Sequence, residues 1–328
     1  KFENNFANYV GSKYCLGVAS GTDAIYLALK SLNIGFGDEV ITVSNTASAT
    51  VSAILQSGAT PVLVDINAFH LMDHKKIEKS ITKNTKAIIP VHLYGQMCDM
   101  NNILKISKKY NLRVIEDCAQ SHGATINKKK AGSFGDVGCF SFYPTKNLGC
   151  YGDGGAIVTN LKKVYNELNM MREYGWKPKF NSLTYGWNSR LDEIQAAVLN
   201  IKLGKLDILN NKRIAIANYY NNNINNNYIS LPKNISKNNK HVYHLYVINI
   251  KKRTGFIKYL SKNNIKCSIQ YPKPIHKQKY FSDKIIKNNL EKTAKFSKEI
   301  VSLPLHPFLS RNEKIHIIKT INKYVPKK

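Results

Sequence analysis

From about residue 14 to residue 160, the spacing of hydrophobic and polar positions changes repeatedly between the period of a β-strand and that of an α-helix. Short runs rich in β-branched residues are separated by segments whose apolar residues recur every three or four positions. The predicted strands cover 14–19, 39–43, 60–66, 86–94, 112–117, 137–143 and 154–160. The predicted helices between them cover 21–32, 45–58, 74–81 and 100–111. This order predicts an α/β fold with a mainly parallel, seven-stranded sheet and helices on both faces.

The pattern changes after residue 160, where strands become rare. Residues 191–222 predict one or two long amphipathic helices. Beyond them, 241–250 and 265–270 have the pattern of strands, and 253–263 and about 285–300 that of helices. We therefore expect a large α/β domain over 1–208 and a smaller α+β domain over 209–328.

Composition is that of an ordinary folded protein, with 43% hydrophobic and 21% charged residues among 328. The six cysteines form no C-x-x-C pair and no metal-ligand spacing, so we expect free thiols, no metal site and a cytoplasmic location. No apolar stretch is long enough to span a bilayer, and none resembles a signal peptide. The chain begins with Lys1 instead of Met, and we expect that a native N-terminal segment precedes it.

The chain is strongly basic, since 49 Lys and Arg against 21 Asp and Glu give a net charge of 49 − 21 = +28. Such a charge requires a polyanionic partner to be considered. The lysines are scattered and alternate with asparagine, as in KNISKNNKH, and no nucleic-acid recognition motif accompanies them. We expect no nucleic-acid partner, whereas an anionic small substrate would benefit from this field.

One lysine, Lys146, lies in the aromatic and glycine-rich run FSFYPTKNLGCYGDGGA. A lysine becomes nucleophilic when its surroundings lower its pKa, and it can then form a Schiff base with an aldehyde cofactor. Alone this is weak evidence, because a lysine on a turn after a strand is usually solvated.

Further residues supply what pyridoxal 5'-phosphate requires besides an amine. Asp117 ends the predicted strand of LRVIED, where it can face the pyridine nitrogen or simply solvent. Gly21, Thr22 and Asp23 open a predicted helix, which is either a phosphate site or a plain helix cap. The hydroxyl of Ser141, five residues before the lysine, can donate to the same phosphate.

The order of these features along the chain, phosphate loop, aspartate, serine and lysine, resembles the order in a known family. The chain is similar over nearly its whole length to the DegT/DnrJ/EryC1/StrS sugar aminotransferases, which have the type I, aspartate aminotransferase-like fold. The motifs that carry the resemblance include SGTDAIYLAL, GDEVITV, VHLYGQMCDM, VIEDCAQSHGA, FSFYPTKNLGCYGDGGAIVTN, YGWNSRLDEIQAAVL and YPKPIHKQKYF.

The resemblance implies roles for three residues at the cofactor ring. Lys146 would hold the cofactor as a Schiff base and then move a proton between the substrate α-carbon and the cofactor C4′. Asp117 would pair with the pyridine nitrogen, and Gln120 would lie near the ring hydroxyl. His92 and His122 are expected to be structural.

The resemblance also implies a shared active site in a homodimer. Thr22, the backbone of Gly21 to Asp23, and Ser141 would bind the cofactor phosphate. Asn188 would reach the phosphate of the neighbouring subunit's cofactor. Two further residues of that motif, Arg190 and Asp192, would support the interface.

One position departs from many members of the family. Ala47, in SNTASAT, stands where many relatives place an aromatic residue against the cofactor ring. The departure implies a looser cofactor or a larger space for substrate.

The resemblance implies amino transfer to a nucleotide-linked keto sugar. Related dehydratases carry histidine in place of the Schiff-base lysine, so retention of lysine favours transamination. The lysine context is most similar to enzymes that aminate the 3-position, so the expected substrate is a dTDP-3-keto-6-deoxyhexose with L-glutamate as amino donor. The candidate substrate-binding residues are Tyr185, Tyr271, His276 and Lys277.

Other functions remain open at this point. They are a 4-amino sugar transaminase of the same family, another type I enzyme such as a cysteine desulfurase or amino-acid lyase, a non-catalytic regulator, and an inactive fragment. The expected product would be a deoxyamino sugar, with a bacterial surface polysaccharide as its destination.

Overall fold

The computed structural model describes residues 1–326 and contains a large central sheet, two three-stranded sheets and surrounding helices. The strands are β1 (Tyr14–Val18), β2 (Glu39–Val43), β3 (Thr60–Val64), β4 (Thr85–Ile88), β5 (Arg113–Asp117), β6 (Thr125–Ile126), β7 (Lys129–Lys130), β8 (Val137–Ser141), β9 (Gly155–Thr159), β10 (Ile229–Ser230), β11 (Asn239–Lys240), β12 (Tyr246–Ile250), β13 (Ile286–Lys287) and β14 (Ile300–Leu303). The α-helices are α1 (Phe2–Val10), α2 (Gly21–Ser31), α3 (Ser48–Ser57), α4 (Met100–Lys109), α5 (Lys162–Met171), α6 (Glu193–Leu203), α7 (Leu206–Asn223), α8 (Arg253–Lys262), α9 (Glu291–Glu299) and α10 (Arg311–Asn322).

The large sheet has the strand order β1-β9-β8-β5-β4-β2-β3-β13. Strand β9 runs antiparallel to both of its neighbours, β1 and β8. The remaining neighbours pair in parallel. The predicted α/β fold is confirmed, and each of the seven predicted strands contributes to this sheet.

The eighth strand, β13, was not predicted, and the helix predicted over about 285–300 begins later than expected. Asn288 donates to the carbonyl of Leu63 from its backbone N–H at 3.3 Å and from its side chain at 3.1 Å. These bonds hold the chain extended along the edge of β3. The helix, α9, therefore begins only at Glu291.

Two predicted elements of the first half are shorter or different in kind. The predicted strand over 86–94 ends at Ile88, and Pro90, which has no N–H to donate, follows closely. The helix predicted over 74–81 is instead a pair of 3₁₀ turns, His74–Lys76 and Glu78–Ser80.

The C-terminal part pairs β10, β12 and β14 in an antiparallel sheet. The strand predicted over 241–250 begins only at Tyr246, because Val242 and Leu245 donate to the carbonyls of Gly95 and Tyr94 instead. The strand predicted over 265–270 is reduced to one isolated bridge, which joins Ser268 to Ser302.

The region 191–222 forms two helices, α6 and α7, which corresponds to one of the predicted alternatives. Helix α7 runs without a break from Leu206 to Asn223, so the boundary expected between residues 208 and 209 falls inside it. The division into a large and a small domain stays a prediction.

Apolar side chains cover both faces of the large sheet. Neighbouring residues of β5 point to opposite faces, and Val114 and Ile115 accordingly belong to different hydrophobic clusters. The cluster around Ile115 includes the buried faces of α2 and α5, and the cluster around Val114 includes those of α1, α4 and α6. Within residues 1–326, no helix combines the length and the apolarity needed to cross a bilayer.

Asp65 joins the C-terminal part to the large sheet. This buried residue follows β3 and accepts hydrogen bonds from the backbone N–H groups of Lys292 and Thr293 at 2.8 and 2.9 Å. The Thr293 hydroxyl donates to the same carboxylate at 2.7 Å. The carboxylate therefore caps α9 from another part of the fold.

We expect Asp65→Ala to lower the free energy of unfolding by about 1–3 kcal/mol, because the three α9 donors and the Ile66 N–H lose their charged acceptor. Urea unfolding followed by circular dichroism measures the change. Asp283→Ala is the matched control, because its exposed carboxylate pairs, among residues 1–326, only with the neighbouring Lys284 at 3.5 Å. Equal stability of the two variants would contradict the assignment of Asp65 as a helix cap.

Candidate active site

The carboxyl ends of β5 and β8 lie side by side, because these strands pair in parallel with Asp117 opposite Cys139. Ligand sites of open α/β sheets form at this edge. The backbone of Asp117 is fixed by its N–H bond to Pro90 O at 3.0 Å, and its own carbonyl accepts from His92 N–H at 3.0 Å. The predicted Asp117 is thus a buried residue at the edge where a ligand is expected.

The Asp117 carboxylate is held by two donors. The Thr50 hydroxyl donates to Oδ2 at 2.8 Å, and the Ala119 N–H donates to Oδ1 at 3.1 Å. Thr46 and Thr50 form a second hydroxyl bond at 2.8 Å, and both threonines are buried. Thr50 was not among the residues predicted from the sequence, although it lies in SNTASAT, the segment that contains Ala47.

Lys146 lies on the turn after β8, where its N–H donates to Tyr143 O at 2.9 Å. Its side chain is half-buried, and the Nζ amine makes no hydrogen bond or ion pair within residues 1–326. Burial lowers the pKa of Lys146 below the ordinary lysine value, and the Asp117 carboxylate partly opposes this shift. The amine is therefore easier to deprotonate than that of a surface lysine.

Helix α2 begins against the end of β8. A Cβ atom on Gly21 would lie 2.6 Å from the Cβ of Ser141, so only glycine permits this approach. The Asp23 N–H donates to the Ser20 hydroxyl at 3.0 Å. In the described part of the chain, the N–H groups of Gly21 and Thr22 have no acceptor. The predicted phosphate residues, Gly21, Thr22 and Ser141, are therefore brought together.

The Asp23 carboxylate points elsewhere. Its Oδ2 accepts from the hydroxyl of the buried Ser189 at 2.7 Å, and the Ser189 hydroxyl accepts from Ala19 N–H at 3.1 Å. Asp23 thus anchors the segment that contains Asn188 to the first turn of α2. This link had no signal in the sequence beyond the two residue types.

Gln120 connects Asp117's surroundings to the C-terminal part. Its Oε1 accepts from Tyr94 N–H at 2.7 Å, and its Nε2 donates to the Tyr271 hydroxyl at 3.2 Å. The Tyr94 hydroxyl donates to the carbonyl of Gln270. Burial raises the pKa of Tyr271 to about 12, with a further contribution from Asp117. Gln120 and Tyr271 are thus brought close to Asp117.

His276 reaches the same sheet edge from the C-terminal part. The Ser44 hydroxyl, just after β2, bonds His276 Nδ1 at 2.7 Å and accepts from the His276 N–H at 3.1 Å. Burial lowers the pKa of His276, and the exposed Lys277 beside it lowers the pKa further.

Tyr185 and Asn188 lie on a different surface. The Tyr185 hydroxyl is 2.7 Å from that of Tyr26 on α2, and both Tyr185 and Asn188 are exposed. The backbone of Asn188 bridges to Glu173. Neither residue hydrogen-bonds to Lys146, Asp117 or Gln120 within the described chain. The Arg190 guanidinium lies 3.0 Å from Glu173 in an exposed ion pair.

The buried histidines near the site differ in their surroundings. His92 Nε2 lies 3.0 Å from the carboxylate of Glu116, which also accepts from the N–H groups of Gly132, Phe134 and Gly135. Glu116, His92 and Cys118 lie close enough together to be considered as metal ligands, but the Glu116 carboxylate is engaged in fastening the 131–136 turn.

His122 and His244 lie near Lys146, whose charge lowers the pKa of each after the larger effect of burial. The pKa of His122 falls to about 3, and its ring nitrogens have no partner within residues 1–326. His244 Nδ1 lies 3.2 Å from the side-chain oxygen of Asn147, the residue after Lys146.

Ala47 is half-buried and immediately precedes α3, where it presents no aromatic ring to the site. The residue that departs from many relatives is therefore the N-cap of α3, the helix that contains Thr50.

The chain is similar over most of its length to known proteins. The family described as DegT/DnrJ/EryC1/StrS aminotransferase matches residues 1–322. A dTDP-3-amino-3,6-dideoxy-alpha-D-galactopyranose transaminase from Aneurinibacillus thermoaerophilus is 50% identical over 325 residues, which cover 98% of this chain and 89% of the relative.

Two solved structures are similar along the whole chain. The S. venezuelae DesV structure in complex with a ketimine intermediate has a TM-score of 0.96 at 38% identity, covering 99% of this chain and 89% of that chain. The ntda structure from Bacillus subtilis with bound cofactor PMP has a TM-score of 0.92 at 34% identity, covering 98% and 75%. The chain therefore belongs to the DegT/DnrJ/EryC1/StrS aminotransferase family.

Proposed function

We propose that this chain transfers the amino group of L-glutamate to a dTDP-3-keto-6-deoxyhexose, by a ping-pong mechanism that uses pyridoxal 5'-phosphate. The observation that carries the proposal is a half-buried lysine of lowered pKa, Lys146, beside the buried carboxylate of Asp117. The transaminase name of the 50% identical relative supports the 3-amino sugar. The cofactor is consistent with the PMP-bound relative.

The residues at the start of α2 fit the phosphate of this cofactor. Gly21 and Thr22 offer N–H groups that have no acceptor among residues 1–326, at a helix N-terminus, which favours negative charge. The approach of Gly21 to Ser141 puts a hydroxyl group beside these donors. A side chain on residue 21 would fill this cradle.

Lys146 has the properties of the proton carrier. When bound, the cofactor supplies an aldehyde that reacts with amines and a pyridine ring that accepts electrons. A neutral Lys146 amine can take a proton from the substrate α-carbon and return it at C4′. Its burial favours the neutral form.

Asp117 keeps the electron sink effective. A carboxylate opposite the pyridine nitrogen favours the protonated ring. Thr50 and Ala119 fix the orientation of that carboxylate. Gln120 is suited to bond the ring hydroxyl because its amide is already oriented by Tyr94 and Tyr271.

The substrate side of the site carries a cation at Lys277. Lys277 can pair with the diphosphate of a nucleotide sugar, the neutral ring of His276 can donate a hydrogen bond to it, and Tyr271 can contact the sugar. The net charge of +28 would attract such an anion over distance. Tyr185 is proposed to contact substrate from its exposed position beside Tyr26.

We further propose a homodimer in which Asn188 completes the phosphate site of the neighbouring subunit. Asn188 is exposed, and the Asp23–Ser189 bond fixes the segment that carries it. Arg190 and Asp192 would lie at the same interface. The protein would act in the cytoplasm, in the synthesis of a deoxyamino sugar for a surface polysaccharide.

We expect Lys146→Ala to abolish the absorbance band of the covalently bound cofactor and to lower turnover by roughly 10²–10⁴-fold or more. In the unsubstituted protein, L-glutamate should convert the band to the amine form, and the keto sugar nucleotide should restore it. Lys202→Ala is the control. Lys202, on α6, donates at 2.7 Å to the carbonyl of Gly149, which lies on the same loop as Lys146. An unsubstituted protein without an amino-donor response would favour the regulatory or inactive alternatives.

We expect Gly21→Ala to weaken binding of pyridoxal 5'-phosphate by roughly tenfold or more, since the new Cβ would displace Ser141 from the cradle. Equilibrium dialysis against the cofactor measures the affinity. Gly204→Ala is the control, because its Cβ would come no closer than 3.7 Å to Ile201 O. Unchanged affinity in Gly21→Ala would argue against a phosphate site here.

Mixed dimers test the role of Asn188. Lys146→Ala and Asn188→Ala chains should each be inactive alone. When the chains are co-expressed, they should recover up to about a quarter of the activity, because half of the dimers are mixed and each has one intact site. The two chains carry different tags, the co-expressed dimers are purified together, and the transaminase activity of the mixture is measured. Without recovery, Asn188 would act within its own subunit.

A further inference from the structure

A cavity of about 690 Å³ lies apart from Lys146 and Asp117. Residues from five parts of the chain line it: 68–70, 93–96, 227–233, 241–252 and 295–299, with Pro326 at the end of the described chain. Its volume lies in the range typical of small-molecule sites, roughly 300–1,000 Å³.

Two side chains of the cavity wall have unused hydrogen-bonding atoms. The side chain of Asn249 donates to His70 Nε2 at 3.1 Å, so the ring proton of neutral His70 lies on Nδ1. His70 is only 8% exposed, and burial lowers its pKa to about 4. Neither His70 Nδ1 nor Asn249 Oδ1 has a partner within residues 1–326. The pair thus retains one donor and one acceptor, and both atoms are buried behind the cavity surface.

The charge of the wall favours an anion. Lys233, Lys251 and Lys295 are exposed residues of this wall and form no ion pair within the described chain. Lys252 also lines the cavity, and the only acidic lining residue described is Glu299. Cations in a concave surface raise the local concentration of an anionic ligand.

Part of the wall is aromatic. The His70 ring packs near Phe296, at 4.5 Å between ring centroids, and near Tyr94, at 5.9 Å. Phe69 and Leu231 extend this apolar surface. Tyr94 also donates its N–H to Gln120, so the cavity shares one residue with the surroundings of the candidate active site.

We propose that this cavity is a second ligand site, which binds a small anion carrying an aromatic ring. The ring packs against the aromatic wall, and the phosphate, sulfonate or carboxylate group faces the lysines. The site is independent of the substrate proposed above.

The experiment titrates cofactor-loaded protein with 1-anilinonaphthalene-8-sulfonate, an aromatic sulfonate whose fluorescence rises in apolar sites. We expect saturable binding. Ala68→Trp, which fills the exposed side of the cavity, and Lys295→Glu, which reverses a wall charge, should each weaken affinity by at least about tenfold. The uncharged N-phenyl-1-naphthylamine should bind at least about tenfold more weakly.

Lys298→Glu is the matched control, because it makes the same charge change on the same helix but lines a neighbouring cavity with Lys258 and Lys262. Its affinity for the sulfonate should be unchanged. Absence of saturable binding would overturn the proposal. So would binding that survives Ala68→Trp but is lost in Lys298→Glu. The fluorescence readout requires no amino transfer, so it distinguishes failure of this site from failure of the proposed reaction.

Discussion

The candidate site depends on the contact between the first turn of α2 and the end of β8. Gly21 lies so close to Ser141 that a Cβ atom would come within 2.6 Å of the serine Cβ. Gly155 permits a similar approach to Ser20, where a Cβ atom would lie 2.4 Å from the serine carbonyl oxygen. Gly21 lets the helix N-terminus, whose first N–H groups have no acceptor in the described chain, meet β8, the strand that leads to Lys146, and Gly155 lets the same end approach the neighbouring β9. Without that approach the proposed phosphate cradle and the lysine would be separate features.

Strand β5 supplies two neighbouring carboxylates with different tasks. Successive side chains of a strand point to opposite faces, so Glu116 and Asp117 diverge. Glu116 is fully buried. Its carboxylate accepts from backbone N–H groups of the 131–136 turn and also contacts His92. Asp117 faces the ligand edge, where Thr50 orients it. Glu116 fixes the chain that precedes β8, and Asp117, the proposed partner of the pyridine nitrogen, lies near Lys146, which follows β8.

The C-terminal part completes the site through a few polar contacts. Tyr271 bonds to Gln120, His276 bonds to Ser44, and Asp65 caps α9. Each contact joins a residue just beyond the carboxyl end of a sheet strand to one more than 150 positions away. The groups proposed to bind the sugar nucleotide are therefore ordered by the same packing that joins the two parts of the chain. The cavity lined by His70 and Asn249 lies along this junction, with one of these residues from each part of the chain.

The sequence by itself determined the parallel α/β sheet, because strand and helix periods are local patterns of burial. It also placed Lys146, Asp117 and the α2 residues at strand or helix ends, and its motifs led to the family. Only the tertiary structure decided the Thr50–Asp117 bond, the Glu116 network, strand β13 and the surroundings of Tyr94. These depend on hydrogen bonds and side-chain approaches between residues far apart in the chain. Periodicity carries no information on such pairings. They can be identified only once the packing of the elements is known.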